Sequence, residues 1–266
     1  MAMEFFARRR GAALALALIA FGAWPQFCAA QAPSRDGDCI LDRCADKAPP
    51  EDGRGSEPPA PSIDFQRSRR RGGGGVPGQF DFYVLSLSWS SGFCKTPAAA
   101  RARRQCDPGA DLGFVVHGLW PQYERGYPTD CEPGAREPSR IALQAAAGLY
   151  PDEGLARHEW RKHGVCSGKS PTDYFADVRR ARDAVTIPAP FQAAKEDQTW
   201  TPIDIERAFI AANRRLRPGM LGVTCADGVL QEVRICFSKD LRDFHACPEV
   251  SRQGCRAGEL SVPPAL

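Results

Sequence analysis

The chain has 266 residues, 43% of them hydrophobic and 25% charged, with a formal net charge of +3 at pH 7. That length allows one sizeable domain with its own core plus flanking segments. The near-balanced charge excludes a nucleic-acid binder working through a global basic field, so affinity for a polyanion has to come from a local cluster.

Residues 1–30 have the make-up of a secretory signal: Arg8, Arg9 and Arg10 precede a 14-residue apolar stretch from Gly11 to Trp24, and the small residues Ala29 and Ala30 follow. The apolar stretch is short for a membrane span. The consecutive arginines and Cys28 hint at twin-arginine and lipoprotein signals, but Pro25-Gln26-Phe27 is a poor context for a lipid-modified cysteine. Cleavage near Ala30 removes three arginines and one glutamate, taking +3 to +1, and removes Cys28, taking 11 cysteines to an even 10. Ten can pair completely in an oxidising compartment, and their spacing contains no CxxC pair for zinc. The expected location is therefore secreted or periplasmic, with no stable membrane association once the signal is removed.

Residues 31–78 contain APPEDGRGSEPPAP and RSRRRGGGG, a composition too poor in apolar side chains to bury a core, and are expected to form a flexible linker. Within it, Arg67 to Arg71 is favoured as a solvated charge run over an arm for RNA or anionic lipid, and Cys39 with Cys44 could close a small ring.

Residues 79–266 turn globular. Leu85, Leu87 and Trp89 alternate with Ser86, Ser88 and Ser90, the period-two pattern of a half-buried strand. Phe114 to Leu119 predicts a second strand, which carries His117 within FVVHGLWP. A lone histidine on an apolar strand is more often a core residue than a catalyst. Residues 139–149 are alanine-rich and helical in character.

Next comes His158-Glu159-Trp160-Arg161-Lys162-His163-Gly164-Val165-Cys166, whose two imidazoles, carboxylate and ammonium suit proton transfer and the binding of developing negative charge. A helix running to Gly164 would place His158 beside Lys162 and Glu159 beside His163. A zinc-protease helix needs H-E-x-x-H, and here the second histidine comes one residue late, so a metal site is disfavoured. Trp160 is expected to pack in the core.

Ser170-Pro171-Thr172-Asp173 is a capping box with proline at the first helical position, and Tyr174, Val178, Ala181 and Val185 continue it as one stripe. Thr201-Pro202-Ile203-Asp204 repeats the device, with Ile205, Phe209, Ala212 and Leu216 leading to Pro218-Gly219. Leu221 to Cys225 and Val229 to Phe237 flank Ala226-Asp227-Gly228, a hairpin signal. Intermixed helices and hairpin strands predict a single α+β domain, a mainly antiparallel β-sheet flanked by helices.

FVVHGLWP and HEWRKHGVC, in that order, resemble the two active-site segments of the ribonuclease T2 family, and the resemblance covers about residues 80 to 255. It implies the same α+β architecture, stabilised by disulfides that pair Cys94 with Cys106, Cys131 with Cys166, Cys225 with Cys255, and Cys236 with Cys247. The second pair would tether the loop after HGLWP to the end of the HEWRKHG segment. The resemblance also implies an endoribonuclease acting on single-stranded RNA without cofactor or metal. RNA carries its own nucleophile, the 2′-hydroxyl, so the enzyme needs a base, an acid and groups that stabilise the phosphate. The family pattern assigns the base to His163 and the acid to His117, with His158, Glu159 and Lys162 positioning and stabilising the phosphate. The products would be 2′,3′-cyclic phosphates and then 3′-phosphates. DNA lacks the nucleophile and is not an expected substrate.

Trp120 is a candidate stacking platform for a base as well as a candidate core residue, and Gln122 stands near the same pocket. Gln122 and Leu155 depart from the residues frequent in the family, so base preference does not carry over. A monomer is expected. The rival from another class is a catalytically inactive, secreted ribonuclease-like binding protein, which explains fold and cysteines but not why every catalytic position is filled.

Overall fold

The computed structural model describes residues 75–107, 109–132, 137–192 and 194–266. The expected signal segment 1–30, Cys39, Cys44 and the run Arg67 to Arg71 lie outside the described residues.

Among the described residues six strands form one sheet: β1 (Phe82–Trp89), β2 (Phe114–Gln122), β3 (Gln198–Trp200), β4 (Leu221–Ala226), β5 (Val229–Ser238) and β6 (Leu260–Val262). The order is β2-β1-β5-β6-β3, with β4 paired along the other edge of β5. All pairings are antiparallel except the contact of Val229 with Ser261, which joins β5 to β6 in parallel. β4 and β5 are the expected hairpin, turning at Asp227 and Gly228, both with positive φ. Glycine takes that conformation without the steric cost that a Cβ imposes.

Alternation along the central strands divides the sheet into two faces. One carries Tyr83, Leu85 and Leu87 of β1, Leu119 of β2, and Val233 and Ile235 of β5, all at 0% exposure. These join a single core with the helices α1 (Arg140–Ala145), α2 (Glu153–Lys162), α3 (Pro171–Asp183) and α4 (Pro202–Ala212) through Ala142, Trp160, Tyr174, Phe175, Ile205 and Phe209. Each large apolar side chain removed from water in this way contributes about 1.5–3 kcal/mol. Trp160 lies in this core, as its position predicts. The opposite face carries Val84, Ser86 and Ser88, and on it Phe82, Val84, Cys236 and Cys247 form a small separate cluster against Trp120.

The half-buried strand expected at Leu85 to Ser90 is buried on both faces: Ser86 is 0% and Ser88 6% exposed. β1 lies between β2 and β5, so its serine face lies beneath side chains of both neighbours.

Both predicted capping boxes form. Ser170 Oγ accepts from Asp173 N at 3.2 Å and Thr201 Oγ1 accepts from Asp204 N at 3.1 Å. α4 ends at Ala212 rather than near Pro218, because Asn213 leaves the helix with extended backbone and donates its Nδ2 to the carbonyls of Phe209 and Thr186. α1 is likewise shorter than residues 139–149, giving way at Ala146 to a turn that holds Gly148 at φ +74°. The fold is α+β, a mainly antiparallel sheet flanked by helices. Among the described residues four disulfides join Cys94 to Cys106, Cys131 to Cys166, Cys225 to Cys255 and Cys236 to Cys247, the pairs that the family resemblance implies.

Candidate active site

The register between β1 and β2 breaks where it matters. Ser86 pairs with Gly118 and Leu87 with Val116, so His117 is an extra residue with no partner across the ladder. A bulge of this kind kinks the strand and re-aims a side chain. Strict alternation from Leu119 would have sent His117 into the core. Instead its ring stands edge-on to Trp120, at 5.3 Å between centroids, on the face that holds Ser86.

α2 brings the second group of side chains to the same place. Asp152 caps it, accepting from Leu155 N at 2.9 Å, and the helix ends at Lys162. His163 is therefore not a further helical residue but the C-cap, with φ −127° and ψ −45°, ahead of a 3₁₀ turn over Gly164–Ser167. The helix thus stops two residues short of Gly164. A methyl group on Gly164 would press into the Trp160 and Tyr174 rings, so only glycine lets the turn close against the core. The Cys131–Cys166 disulfide ties this turn to the segment that follows β2.

Trp120 is the hinge of the cluster. Its Nε1 donates to Glu159 Oε2 at 2.8 Å, one side of it meets His117, and the His163 ring lies at 5.3 Å between centroids. Glu159 is only 1% exposed, and its other oxygen approaches His117 Nε2 at 3.7 Å. Gly118 makes this contact possible, since a Cβ there would overlap both Glu159 Oε2 and Trp120 Nε1.

Two charged residues on β5 complete the group: His117 Nδ1 donates to Glu232 Oε1 at 2.5 Å, and Glu232 Oε2 accepts from Arg234 Nε at 2.9 Å and Nη2 at 2.7 Å. The Arg234 guanidinium lies 5.2 Å from the Trp120 ring centroid. Sequence reasoning missed both. The signal available was alternation, because Glu232 and Arg234 stand two apart in an otherwise largely apolar strand and so share one face.

The electrostatics separate the two histidines flanking Trp120. Burial lowers the proton affinity of His117, but the hydrogen bond and charge of Glu232, together with the charge of Glu159, outweigh it and leave the pKa raised. For His163, burial and the nearby His117, Lys162 and His158 all act downward, to about 3. His158 is also lowered, by burial and then by Arg161, His117 and Lys162. Burial lifts the Glu159 carboxyl to about 7, while His117 and the Trp120 hydrogen bond pull the other way. Glu232 is the converse: burial raises it, yet His117 and Arg234 hold it down at about 2. The site thus holds one imidazole whose surroundings favour its proton and one held neutral at pH 7, with the Glu159 carboxyl beside Trp120 and His117.

A cleft opens on each side. One, of about 280 Å³, is lined by His117, His158, Leu155, Ser88, Gln105 and Val115 among others. The other, of about 260 Å³, is lined by Trp120, Gln122, Lys162, His163, Arg234, Tyr127 and Gln253 among others. All the predicted site residues, His117, Trp120, Gln122, His158, Glu159, Lys162 and His163, therefore meet at or between two clefts. Among the described residues, no group of three or more His, Cys, Asp or Glu side chains is placed to hold a metal ion.

The model of the "Ribonuclease T2 family" matches residues 80–247. A "Ribonuclease" of Aeromonas hydrophila is 37% identical over 180 residues, covering 66% of this chain and 80% of that one. "Ribonuclease DdI" of Dictyostelium discoideum is 26% identical over 203 residues, covering 70% and 86%. Among solved structures, an "RNase-related protein from Calystegia sepium" shares the fold with a TM-score of 0.52 at 21% identity, over 70% of this chain and 98% of that one.

Proposed function

The chain belongs to the ribonuclease T2 family, and from that membership and the geometry of the site we propose that it is a secreted endoribonuclease that cleaves single-stranded RNA by metal-independent transesterification. The 2′-hydroxyl attacks the adjacent phosphorus, a 2′,3′-cyclic phosphate forms, and water later opens it to a 3′-phosphate.

The supporting observation is that the two histidines flanking Trp120 sit in environments that push their proton affinities in opposite directions. A pair of titratable groups whose environments push their pKa values apart marks the acid and the base. His163, held neutral, can accept the 2′-hydroxyl proton, and His117, whose surroundings favour its proton, can give one to the departing 5′-oxygen. Lys162 and His158 stand where cationic or donor groups can meet the phosphate. Glu159, poised near neutrality, can donate to a phosphoryl oxygen when protonated. In the second step the two histidines exchange roles. The clefts on either side suit the bases flanking the scissile bond, with Trp120 and Gln122 lining one of them. Residues 1–30 act as the export signal in this reading, and the working protein is a monomer in the periplasm or outside the cell.

The deciding experiment compares leaving groups, with EDTA present throughout. On an RNA dinucleotide, His117→Ala and His163→Ala should each lose roughly a hundredfold to ten-thousandfold, the worth of a positioned acid or base. On a uridine 3′-nitrophenyl phosphate, whose leaving group needs no proton, His117→Ala should recover most of its rate and His163→Ala should stay slow. Rescue of His163→Ala instead would reverse the roles. A wild-type protein that binds RNA but cuts none of it in EDTA would leave the inactive binding protein standing.

A further inference from the structure

We propose that Glu232, steadied by Arg234, is a positioning residue that fixes the His117 imidazole with Nδ1–H toward β5 and its transferable proton on Nε2, facing the substrate. This rests on the reading of His117 as the general acid.

The geometry leaves little freedom. Glu232 is buried and accepts at both oxygens, from His117 Nδ1 on one and from Arg234 on the other. An ionised carboxylate has no proton to give, so Nδ1 must be the donor, and that fixes the ring's tautomer and orientation. Nε2 is left without a hydrogen bond to Glu159, whose Oε1 is 3.7 Å away and too far for one, on a side chain that is 37% exposed. The bulge makes this bond necessary: a residue unpaired in the ladder has no register to set its side chain, and a buried partner on β5 supplies the missing constraint.

Arg234 has two opposed effects. It holds Glu232 ionised and oriented, yet its positive charge works against the proton on His117. The charged groups facing His117 are thus Glu232 and Arg234 from β5 and Glu159 from α2, with His158 and His163 close enough for its charge to depress them.

The test reads the titration of His117 directly, by NMR of the histidine ring protons in the full chain, assigned with His117→Ala. It also measures kcat/KM against pH on an RNA dinucleotide, whose basic limb reports the acid. Glu232→Gln is close to isosteric and keeps an acceptor, but removes the charge. It should lower both the His117 titration and the basic limb by about one to two pH units, the effect of losing a close opposite charge. Activity should return as the pH is lowered beneath the new limb, and a nitrophenyl substrate should show little of the loss. Glu232→Asp should fall between. Arg234→Gln should move the limb the other way, to higher pH. A merely structural role would cost activity equally at all pH values and on both substrates, and that outcome, or an unmoved His117 titration in Glu232→Gln, would overturn the proposal. If His117→Ala is not rescued by the nitrophenyl leaving group, the acid reading fails and the proposal with it. If it is rescued while the Glu232→Gln limb stays in place, only the positioning role fails.

Discussion

Gly118→Ala adds one methyl group at the most crowded point of the site. The new Cβ would overlap Glu159 Oε2 and Trp120 Nε1, which are hydrogen-bonded to each other at 2.8 Å. Neither can step aside cheaply, since Glu159 is 1% exposed on a packed helix and Trp120 sits two residues along the same strand. Overpacking costs about 1–3 kcal/mol, and losing a hydrogen bond to a charged group about 1.5–3 kcal/mol. Partial relaxation puts the net loss near 3 kcal/mol, or on the order of 10 °C in Tm for a domain of this size. Activity should fall further than stability, because a shift of about 1 Å in a group near the reacting phosphate can cost on the order of a hundredfold. Thermal melting and kcat/KM on an RNA dinucleotide measure the two. Gly258→Ala, where a methyl would meet nothing within 4 Å, is the control and should stay within about 0.5 kcal/mol. A Gly118→Ala protein with the wild-type Tm and turnover would show that the Trp120–Glu159 contact does not organise the site.

Replacing Cys131 and Cys166 together by alanine opens a loop of sequence separation 35, which chain entropy values at about 4 kcal/mol. The urea midpoint should drop accordingly, and an unchanged midpoint would remove the staple from the account of how the two motifs are held. Acid should weaken the fold through Glu232. Its pKa falls from 4.5 to about 2 on folding, so its contribution, about 3 kcal/mol, is complete above the unfolded value and is lost as pH falls through the folded one. Urea titrations between pH 5 and 2 should show that slope in the wild type and a flatter one in Glu232→Gln. Equal slopes would mean that the carboxylate is not stabilised by its partners.

Several features of this chain were legible because they depend on near neighbours. The capping boxes at Ser170 and Thr201 formed as spaced, since the cap and the amide it satisfies lie three residues apart. The Asp227-Gly228 turn joined the hairpin its flanking residues called for. The density of ionisable groups from His158 to His163 marked one half of the site along the chain, whereas His117 was legible only through the resemblance of FVVHGLWP to a family segment. What the tertiary structure decided is how those side chains face one another. The helix through Glu159 stops at Lys162 because the following turn must pass Gly164 between Trp160 and Tyr174, a contact with α3 that no local spacing encodes. The serine face of β1 is buried because strands from both ends of the domain pair beside it. His117 faces the site only through a bulge, and its partners Glu232 and Arg234 come from a strand more than a hundred residues away. Propensity and capping act over three or four residues and can be read along the chain, whereas strand register, burial on a second face and the pairing of buried charges depend on which distant segment lies opposite, and that is set only when the sheet assembles.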